Sequence, residues 1–86
     1  MMKTIMLSRD LGIKKAGKFY SAAITVMNAA PDCALDFSRV ERLDLSAAQL
    51  ALALQLECER RGGRLIIRNT NDTTAHLLRL AGMKGV

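Results

Sequence analysis

Hydrophobic residues along the chain follow two spacings, one typical of strands and one of helices, and turn or capping residues mark each change between them. The pattern predicts strands over residues 3–8 and 10–14, joined tightly through Ser8-Arg9-Asp10. From about residue 16 the spacing becomes helical, with apolar side chains at steps of three and four. These side chains are Phe19, Tyr20, Ala23, Val26 and Met27. Pro31-Asp32 should end this first helix.

The second half of the chain predicts strands and helices in alternation. The predicted elements are a strand at 33–37, a loop at 40–45, a helix from Ser46 to about Arg61, a strand at 64–68, a polar turn at 69–72 and a helix at 73–81. Gly62-Gly63 and Gly82 should stop the two helices. Because crossovers between parallel strands are right-handed, this order predicts an α/β fold of the type β-β-α-β-α-β-α. We expect a small mixed, largely parallel four-stranded sheet with about three helices packed on it.

The length of 86 residues allows one domain, expected over residues 1–86, because domains usually take roughly 100–200 residues. Half of the residues are hydrophobic and only 3% are aromatic, which is typical of a globular protein with an aliphatic core. The apolar run at the N-terminus is too short for a signal peptide. No stretch approaches the roughly 18 apolar residues of a membrane span. We therefore expect a cytoplasmic protein without membrane insertion.

The net charge of +5 raises the question of an anionic partner. The basic residues are, however, scattered along the chain rather than concentrated in one segment. Nucleic-acid modules of this size usually add aromatic stacking platforms or a recognition helix rich in Arg and Lys. Because the few aromatic residues all fall at positions that suit the core, the sequence predicts no nucleic-acid partner.

The residues that could carry chemistry form no catalytic, cofactor or metal constellation. The only histidine, His76, falls at a surface or boundary position of the last predicted helix. Cys33 and Cys58 are isolated and behave as small hydrophobic residues of a reduced protein. No phosphate-binding glycine loop and no set of metal ligands is present in the sequence. We therefore expect no enzyme, no cofactor and no metal.

Most of this pattern would suit any small α/β domain, but three segments of the chain are more specific for one family. They cover residues 35–50, 62–67 and 77–83. They read LDFSRVERLDLSAAQL, GGRLII and LLRLAGM. In this order and at these distances they resemble the STAS family, the domain of bacterial anti-sigma factor antagonists and of sulfate transporter tails. The resemblance covers nearly the whole chain. It implies the fold of that family and a role in binding signalling proteins.

The resemblance also implies a phosphorylation site. In the antagonists, the loop before the long helix reads Asp-Ser-Ser-Gly, and its second serine accepts the phosphate. The matching residues here are Asp44-Leu45-Ser46-Ala47, which puts the acceptor at Ser46 and replaces the first Ser and the Gly. STAS proteins of chemotaxis clusters are also similar, since they often lack the acceptor and carry a glutamine where Gln49 lies. The STAS domain of phospholipid-transport complexes, which binds a transporter ATPase, is a further relative.

Helical spacing of roughly 100° per residue divides the long helix into two faces. The face expected against the sheet holds Leu45, Ala47, Ala48, Ala51, Leu52, Leu54, Leu56 and Cys58. The other face holds Ser46, Gln49, Leu50, Ala53, Glu57, Arg60 and Arg61, and it carries no charge before Glu57. An exposed Leu50 among small side chains could anchor a partner. The predicted partner-binding residues are Asp44, Leu45, Ser46, Gln49, Leu50, Ala53 and Glu57.

Two functional hypotheses follow. In the first, the protein is an anti-sigma factor antagonist that binds a kinase-like anti-sigma factor and is released when Ser46 is phosphorylated. In the second, it is a fixed adaptor in a chemotaxis cluster or on a transporter ATPase, and Ser46 only caps the helix, a position for which Asp44 competes. The chain stops at Val86, earlier than relatives that continue into a further strand or helix. An edge or face left exposed in this way would favour a homodimer.

Overall fold

Strands and helices alternate along the computed structural model, which describes residues 2–30 and 32–86. The strands are β1 (Lys3–Met6), β2 (Asp10–Leu11), β3 (Cys33–Asp36), β4 (Arg42–Leu43) and β5 (Leu65–Arg68). The helices are α1 (Ile13–Ala29), α2 (Leu45–Arg60) and α3 (Asp72–Ala81). All three strand pairings are parallel. The predicted α/β class is therefore confirmed.

The strands form two sheets instead of the single four-stranded sheet that we expected. In the larger sheet β3 lies between β1 and β5, and in the smaller one β2 pairs with β4. The segment 40–45, expected to be a loop, thus contains a strand whose two residues are too few to show a period. β1 and β2 follow each other in the chain but do not pair with each other. β2 pairs instead with β4, which comes after α1 and β3 in the chain.

The boundary between β2 and α1 also differs from the prediction. The strand expected at 10–14 ends at Leu11, and α1 begins at Ile13, with Gly12 as its N-cap. Lys14 and Lys15 lie in the first turn of the helix; lysine is a good helix former, although its charge is unfavourable at a helix N-terminus. The helix ends at Ala29. Pro31, which we expected to end it, lies outside the described residues.

The core lies on one face of the larger sheet, where α1 packs against α2 and α2 packs against α3. Side chains of a strand point alternately to the two faces. Cys33 and Leu35 of the central strand, both fully buried, therefore join the core. On the opposite face, Thr4, Met6 and Arg68 of the same sheet are exposed. Ala34 at the middle of this face is buried, so the larger sheet has one buried side and one side exposed mainly toward its edges.

The ends of α2 and α3 are set by the residues that the sequence pattern suggested. Gly62 follows α2 with a φ of +81°, in the left-handed region that favours glycine. Asn71 caps α3, and its side chain accepts a hydrogen bond of 2.8 Å from the N–H of Thr74. Gly82 ends α3. None of the helices described in residues 2–30 and 32–86 is long and apolar enough to cross a bilayer.

Candidate functional site

The smaller sheet positions the N-terminus of α2. The N–H groups of Glu41 and Arg42 donate to the carbonyl of Arg9 at 2.8 and 3.1 Å. Because β2 and β4 are parallel and in register, they end side by side, and a helix follows each of them. The N-termini of α1 and α2 therefore lie next to each other at one end of the molecule.

Asp44 is the N-cap of α2. Its Oδ1 accepts a hydrogen bond of 3.0 Å from the N–H of Ala47 and another of 2.7 Å from the hydroxyl of Ser46. A side-chain oxygen at this position satisfies one of the free N–H groups of the first turn. The expectation that Ser46 could cap the helix is therefore wrong, since the helix begins one residue earlier than predicted. Ser46 lies inside the first turn, half-buried, with its hydroxyl held by the cap.

A polar cleft separates the two helix N-termini. Its volume is about 360 Å³, and it is lined by Asp10, Gly12, Lys14, Lys15, Arg42 and Asp44. A Cβ atom at Gly12 would lie 3.1 Å from Asp10 Oδ1 and 3.8 Å from Asp44 Oδ2. Glycine therefore leaves room for these carboxylates to approach the backbone. The cleft has charges of both signs, and the described residues include no group of three or more His, Cys, Asp or Glu side chains that could hold a metal.

The side of α2 that is buried in the structure is rotated around the helix axis relative to the side predicted to face the sheet. The buried residues are Ala47, Ala48, Ala51, Leu54, Gln55 and Cys58. Leu45 and Leu56, both predicted to face the sheet, are 47% and 54% exposed. Leu50, predicted to be exposed, and Leu52 are partly buried and pack against the core. The solvent-facing side of the helix is therefore turned toward Leu45 and Leu56.

We call the solvent-facing surface of this helix the α2 face. It consists of Leu45, Ser46, Gln49, Ala53 and Leu56, of which Leu45, Gln49 and Leu56 are exposed and the other two half-buried. These residues follow one another at steps of three and four, apart from the neighbours at its start, and so form one stripe. No charged residue occurs in α2 before Glu57. Four of the seven predicted partner-binding residues thus share one uncharged surface, and Asp44 adjoins its end.

Glu57, the last predicted partner-binding residue, lies at the other end of the helix, about 16 Å from Ser46 at 1.5 Å per residue. Its carboxylate forms ion pairs with Arg60 and Arg61 at 2.5 and 2.9 Å. Hydrogen bonds from Arg60 and then Arg61 lower the pKa of Glu57 to about 2. Arg61 also donates to Asn28 of α1 at 2.7 Å. These contacts hold the C-terminal end of α2 to α1, and Glu57 lies next to Leu56 at the C-terminal end of the α2 face.

Gln55 is a buried polar residue that the sequence reasoning missed. Its side-chain amide donates to the carbonyl of Lys84 at 3.0 Å and accepts from the N–H of the same residue at 3.2 Å. A signal was present, because Gln55 lies four residues after Ala51 and three before Cys58, both of which face the core. The amide fixes the C-terminal segment against α2.

The two cysteines and the histidine lie where the sequence predicted them, the cysteines in the core and the histidine at the surface. Cys33 and Cys58 are fully buried, and burial raises the pKa of both thiols, that of Cys58 to about 11. A thiol with a raised pKa is a poor nucleophile at neutral pH. His76 is exposed on α3. Neither the cysteines nor the histidine lies in the cleft or on the α2 face.

A comparison with known protein families gives a match that covers nearly the whole chain. The family model described as "Mlab, STAS domain" matches residues 3–86. The chain belongs to the STAS domain family. None of the curated proteins compared with the chain matches it.

STAS domains are protein-interaction modules and generally have no enzymatic activity. In this STAS domain, the parallel pairing of β2 with β4 and the cap at Asp44 place Ser46 and the exposed Leu45 together at the end of the molecule. The family assignment supports a signalling module of the anti-sigma antagonist kind in general terms.

Proposed function

We propose that this STAS domain binds a kinase-like anti-sigma factor through Asp44, Leu45, Ser46 and the rest of the α2 face, and that phosphorylation of Ser46 releases it. The observation that carries the proposal is the hydroxyl of Ser46, held 2.7 Å from Asp44 Oδ1 in the first turn of an uncharged helix face. An exposed Leu45 lies directly beside this hydroxyl in the chain. Ser46 is thus a modifiable group at the N-terminal end of the uncharged α2 face.

A phosphate on Ser46 would act through electrostatics. It adds about −1.5 to −2 charges and three acceptor oxygens, and it removes the hydroxyl that now donates to Asp44. Because the carboxylate and the modified oxygen are only 2.7 Å apart, the two negative groups repel each other. The N-terminus of the helix compensates part of this cost. The fold should therefore tolerate the modification, while a partner packed on the uncharged α2 face should not.

The side chains of the α2 face suit close contact with another protein. Ala53 and Ser46 are small, so the backbone of a partner can approach the helix. Leu45 supplies an apolar side chain that the domain itself leaves 47% exposed. Gln49 offers one amide for a directional hydrogen bond. Buried apolar anchors surrounded by polar contacts are typical of binding hot spots.

The test compares two substitutions at one position. Ser46→Asp introduces charge, and Ser46→Ala, the matched control, removes only the hydroxyl. We expect the Asp variant to bind candidate anti-sigma factors of the same organism at least about tenfold more weakly by calorimetry, and the Ala variant to bind nearly as the wild type does. Incubation of the wild type with the bound kinase and ATP, followed by mass spectrometry, should place one phosphate on Ser46. Equal binding of both variants would disprove the switch.

A second function, that of a fixed adaptor in a chemotaxis cluster or on a transporter ATPase, is favoured by one observation. Leu56 is 54% exposed, so the α2 face continues as an apolar surface well beyond the reach of a phosphate on Ser46. A permanent partner would cover both ends of this surface. Leu56→Glu and Leu45→Glu should then abolish co-purification of the partner, whereas Ser46→Asp should leave it intact. The antagonist mechanism predicts that Ser46→Asp also disrupts the complex.

A further inference from the structure

In the described part of the chain, the outer edge of β1 has backbone hydrogen-bonding groups without a partner. β1 lies at one edge of the larger sheet and pairs there only with β3. The N–H groups of Lys3 and Leu7 donate to the carbonyls of Asp32 and Asp36, both at 3.2 Å. Because successive residues of a strand direct their backbone groups to opposite sides, Thr4 and Met6 direct theirs away from β3. Within the described residues, these outward groups have no partner.

A groove runs beside this edge, between β1 and α1. Its volume is about 450 Å³. Its apolar side chains are Ile5, Met6, Leu7, Leu11 and Phe19, and its basic side chains are Lys14, Lys15 and Lys18. The three lysines come from the exposed side of α1. The groove therefore combines an apolar floor with a positively charged rim.

The charge of the groove favours an acidic occupant. α1 contains three lysines and no acidic residue, and Lys3 on β1 adds a further positive charge close to the edge. A second copy of this chain would bring the same lysines to the same edge, and like charges would repel. A segment with carboxylates would instead be attracted.

We propose that the edge of β1 binds an extended, acidic segment of a partner protein, which adds to the larger sheet as a further strand. The main chain of the segment would bond to the outward groups of Thr4 and Met6. Alternate side chains would enter the groove, apolar ones against its floor and carboxylates beside Lys14, Lys15 and Lys18. This mode of recognition takes affinity from main-chain hydrogen bonds and specificity from every second side chain. The groove shares Lys14 and Lys15 with the cleft beside Asp44 but no residue with the α2 face, and its test does not depend on Ser46.

The direct experiment uses a peptide of about ten residues that alternates glutamate and valine, a length that suits a strand. Amide hydrogen exchange of the ¹⁵N-labelled domain is measured with and without the peptide. We expect exchange to slow at Thr4 and Met6, whose N–H groups are free, and to change little at Lys3 and Leu7, whose N–H groups already bond to β3. A peptide with lysine in place of glutamate is the control and should not bind.

Two sets of substitutions of equal charge test the groove. Lys14→Gln, Lys15→Gln and Lys18→Gln together should weaken binding of the Glu-Val peptide by about tenfold. The control combines Arg64→Gln, Arg79→Gln and Lys84→Gln, three exposed positions outside the groove. It removes the same net charge and should change the affinity by less than about twofold.

A separate experiment tests whether the peptide adds to the sheet through main-chain hydrogen bonds. Proline is tolerated at edge strands where the N–H faces outward, so Thr4→Pro should remove one outward donor without breaking the bonds between β1 and β3. This variant should lose binding while circular dichroism shows an unchanged fold. A Glu-Val peptide methylated on alternate amide nitrogens tests the same point on the wild-type protein, and it should not bind, whether or not Thr4→Pro folds.

Four outcomes would overturn the proposal. The first is peptide binding that leaves exchange at Thr4 and Met6 unchanged. The second is an equal affinity of both charge variants. The third is binding of the domain to phosphatidylglycerol vesicles but not to the peptide, which would make the lysines a membrane-surface contact. The fourth is self-association of the triple lysine variant without peptide binding by the wild type, which would show that these lysines only protect the edge.

Discussion

The hydroxyl of Ser46 donates to the same carboxylate oxygen of Asp44 that caps helix α2. The two donors on this oxygen, the Ser46 hydroxyl and the N–H of Ala47, lie at 2.7 and 3.0 Å. The proposed acceptor and the helix cap therefore share one atom. A substitution or modification of Ser46 therefore affects the hydrogen bonds at the start of α2. A substitution of Asp44 affects the orientation of the Ser46 hydroxyl.

Removal of the cap should destabilise the domain. For Asp44→Ala we expect the free energy of unfolding to fall by about 1 kcal/mol, because the N–H of Ala47 loses its acceptor. The midpoint of thermal unfolding should fall by about 4–8 °C. Ser46→Ala is the matched control and should cost less, since the cap itself remains. Thermal and urea denaturation followed by circular dichroism measure both, and a larger effect of Ser46→Ala would contradict the assignment of the cap.

Two leucines on α2 test which side of the helix faces the core. Leu54 is fully buried and Leu56 is 54% exposed, although only two positions separate them. Leu54→Ala should lower the free energy of unfolding by about 2–5 kcal/mol, because it leaves a cavity in the core. Leu56→Ala should change it by at most about 0.5 kcal/mol. Urea denaturation of the two variants, made in parallel, measures the difference, and similar losses would show that the helix is oriented otherwise.

Acid should weaken the contact between the C-terminal end of α2 and α1. Hydrogen bonds from Arg60 and Arg61 lower the pKa of Glu57 from 4.5 to about 2. A carboxylate with a lowered pKa in the folded state stabilises the protein above its ordinary pKa, and this contribution is lost as the pH falls from about 4.5 to about 2. Glu57→Gln should remove that part of the pH dependence in urea denaturation at a series of pH values.

The partners of Glu57 provide the control for the acid experiment. Replacing Arg60 and Arg61 together with Gln removes the donors but keeps the carboxylate. This double variant should flatten the dependence of stability on pH in the same range. An unchanged acid profile in both the Glu57→Gln and the double arginine variant would contradict the role of these ion pairs.

The two thiols should be unreactive in the folded protein. Cys33 and Cys58 are fully buried, and burial raises the pKa of both. The Sγ of Cys58 also donates to the Sδ of Met27 at 2.9 Å. We therefore expect a thiol reagent such as dithionitrobenzoate to label neither cysteine at pH 8 in the native state and both in urea. Rapid labelling without denaturant would show that the core opens at this point.

Most of the fold could be predicted from local sequence signals. The helical spacing, the glycines at 62 and 82, the buried strand at 33–37 and the strand at 64–68 all correspond to observed elements. The motif Asp44-Leu45-Ser46-Ala47 located the start of α2 to within one residue, and its likeness to the STAS pattern agrees with the family match. These features were accessible because each depends on residues close together in the chain.

Other features escaped because they depend on contacts between distant segments. β4 has two residues, and only its pairing with β2 makes it a strand. The exposure of Leu45 and Leu56 is decided by where α1 and α3 pack against α2. Gln55 can be buried because the carbonyl and the N–H of Lys84, 29 positions along the chain, form hydrogen bonds with its side-chain amide. No local pattern carries this information.

The sequence by itself determined the α/β class and the order of most elements, and its resemblance to the STAS family made Ser46 a candidate acceptor at the start of a helix that is uncharged before Glu57. The tertiary structure decided that Asp44 is the cap, that Leu45 and Leu56 rather than Leu50 are the exposed leucines of that helix, and that β1 forms an open edge beside the lysines of α1. The physical reason is that spacing along the chain fixes which side chains share a face. Only packing decides which face is covered.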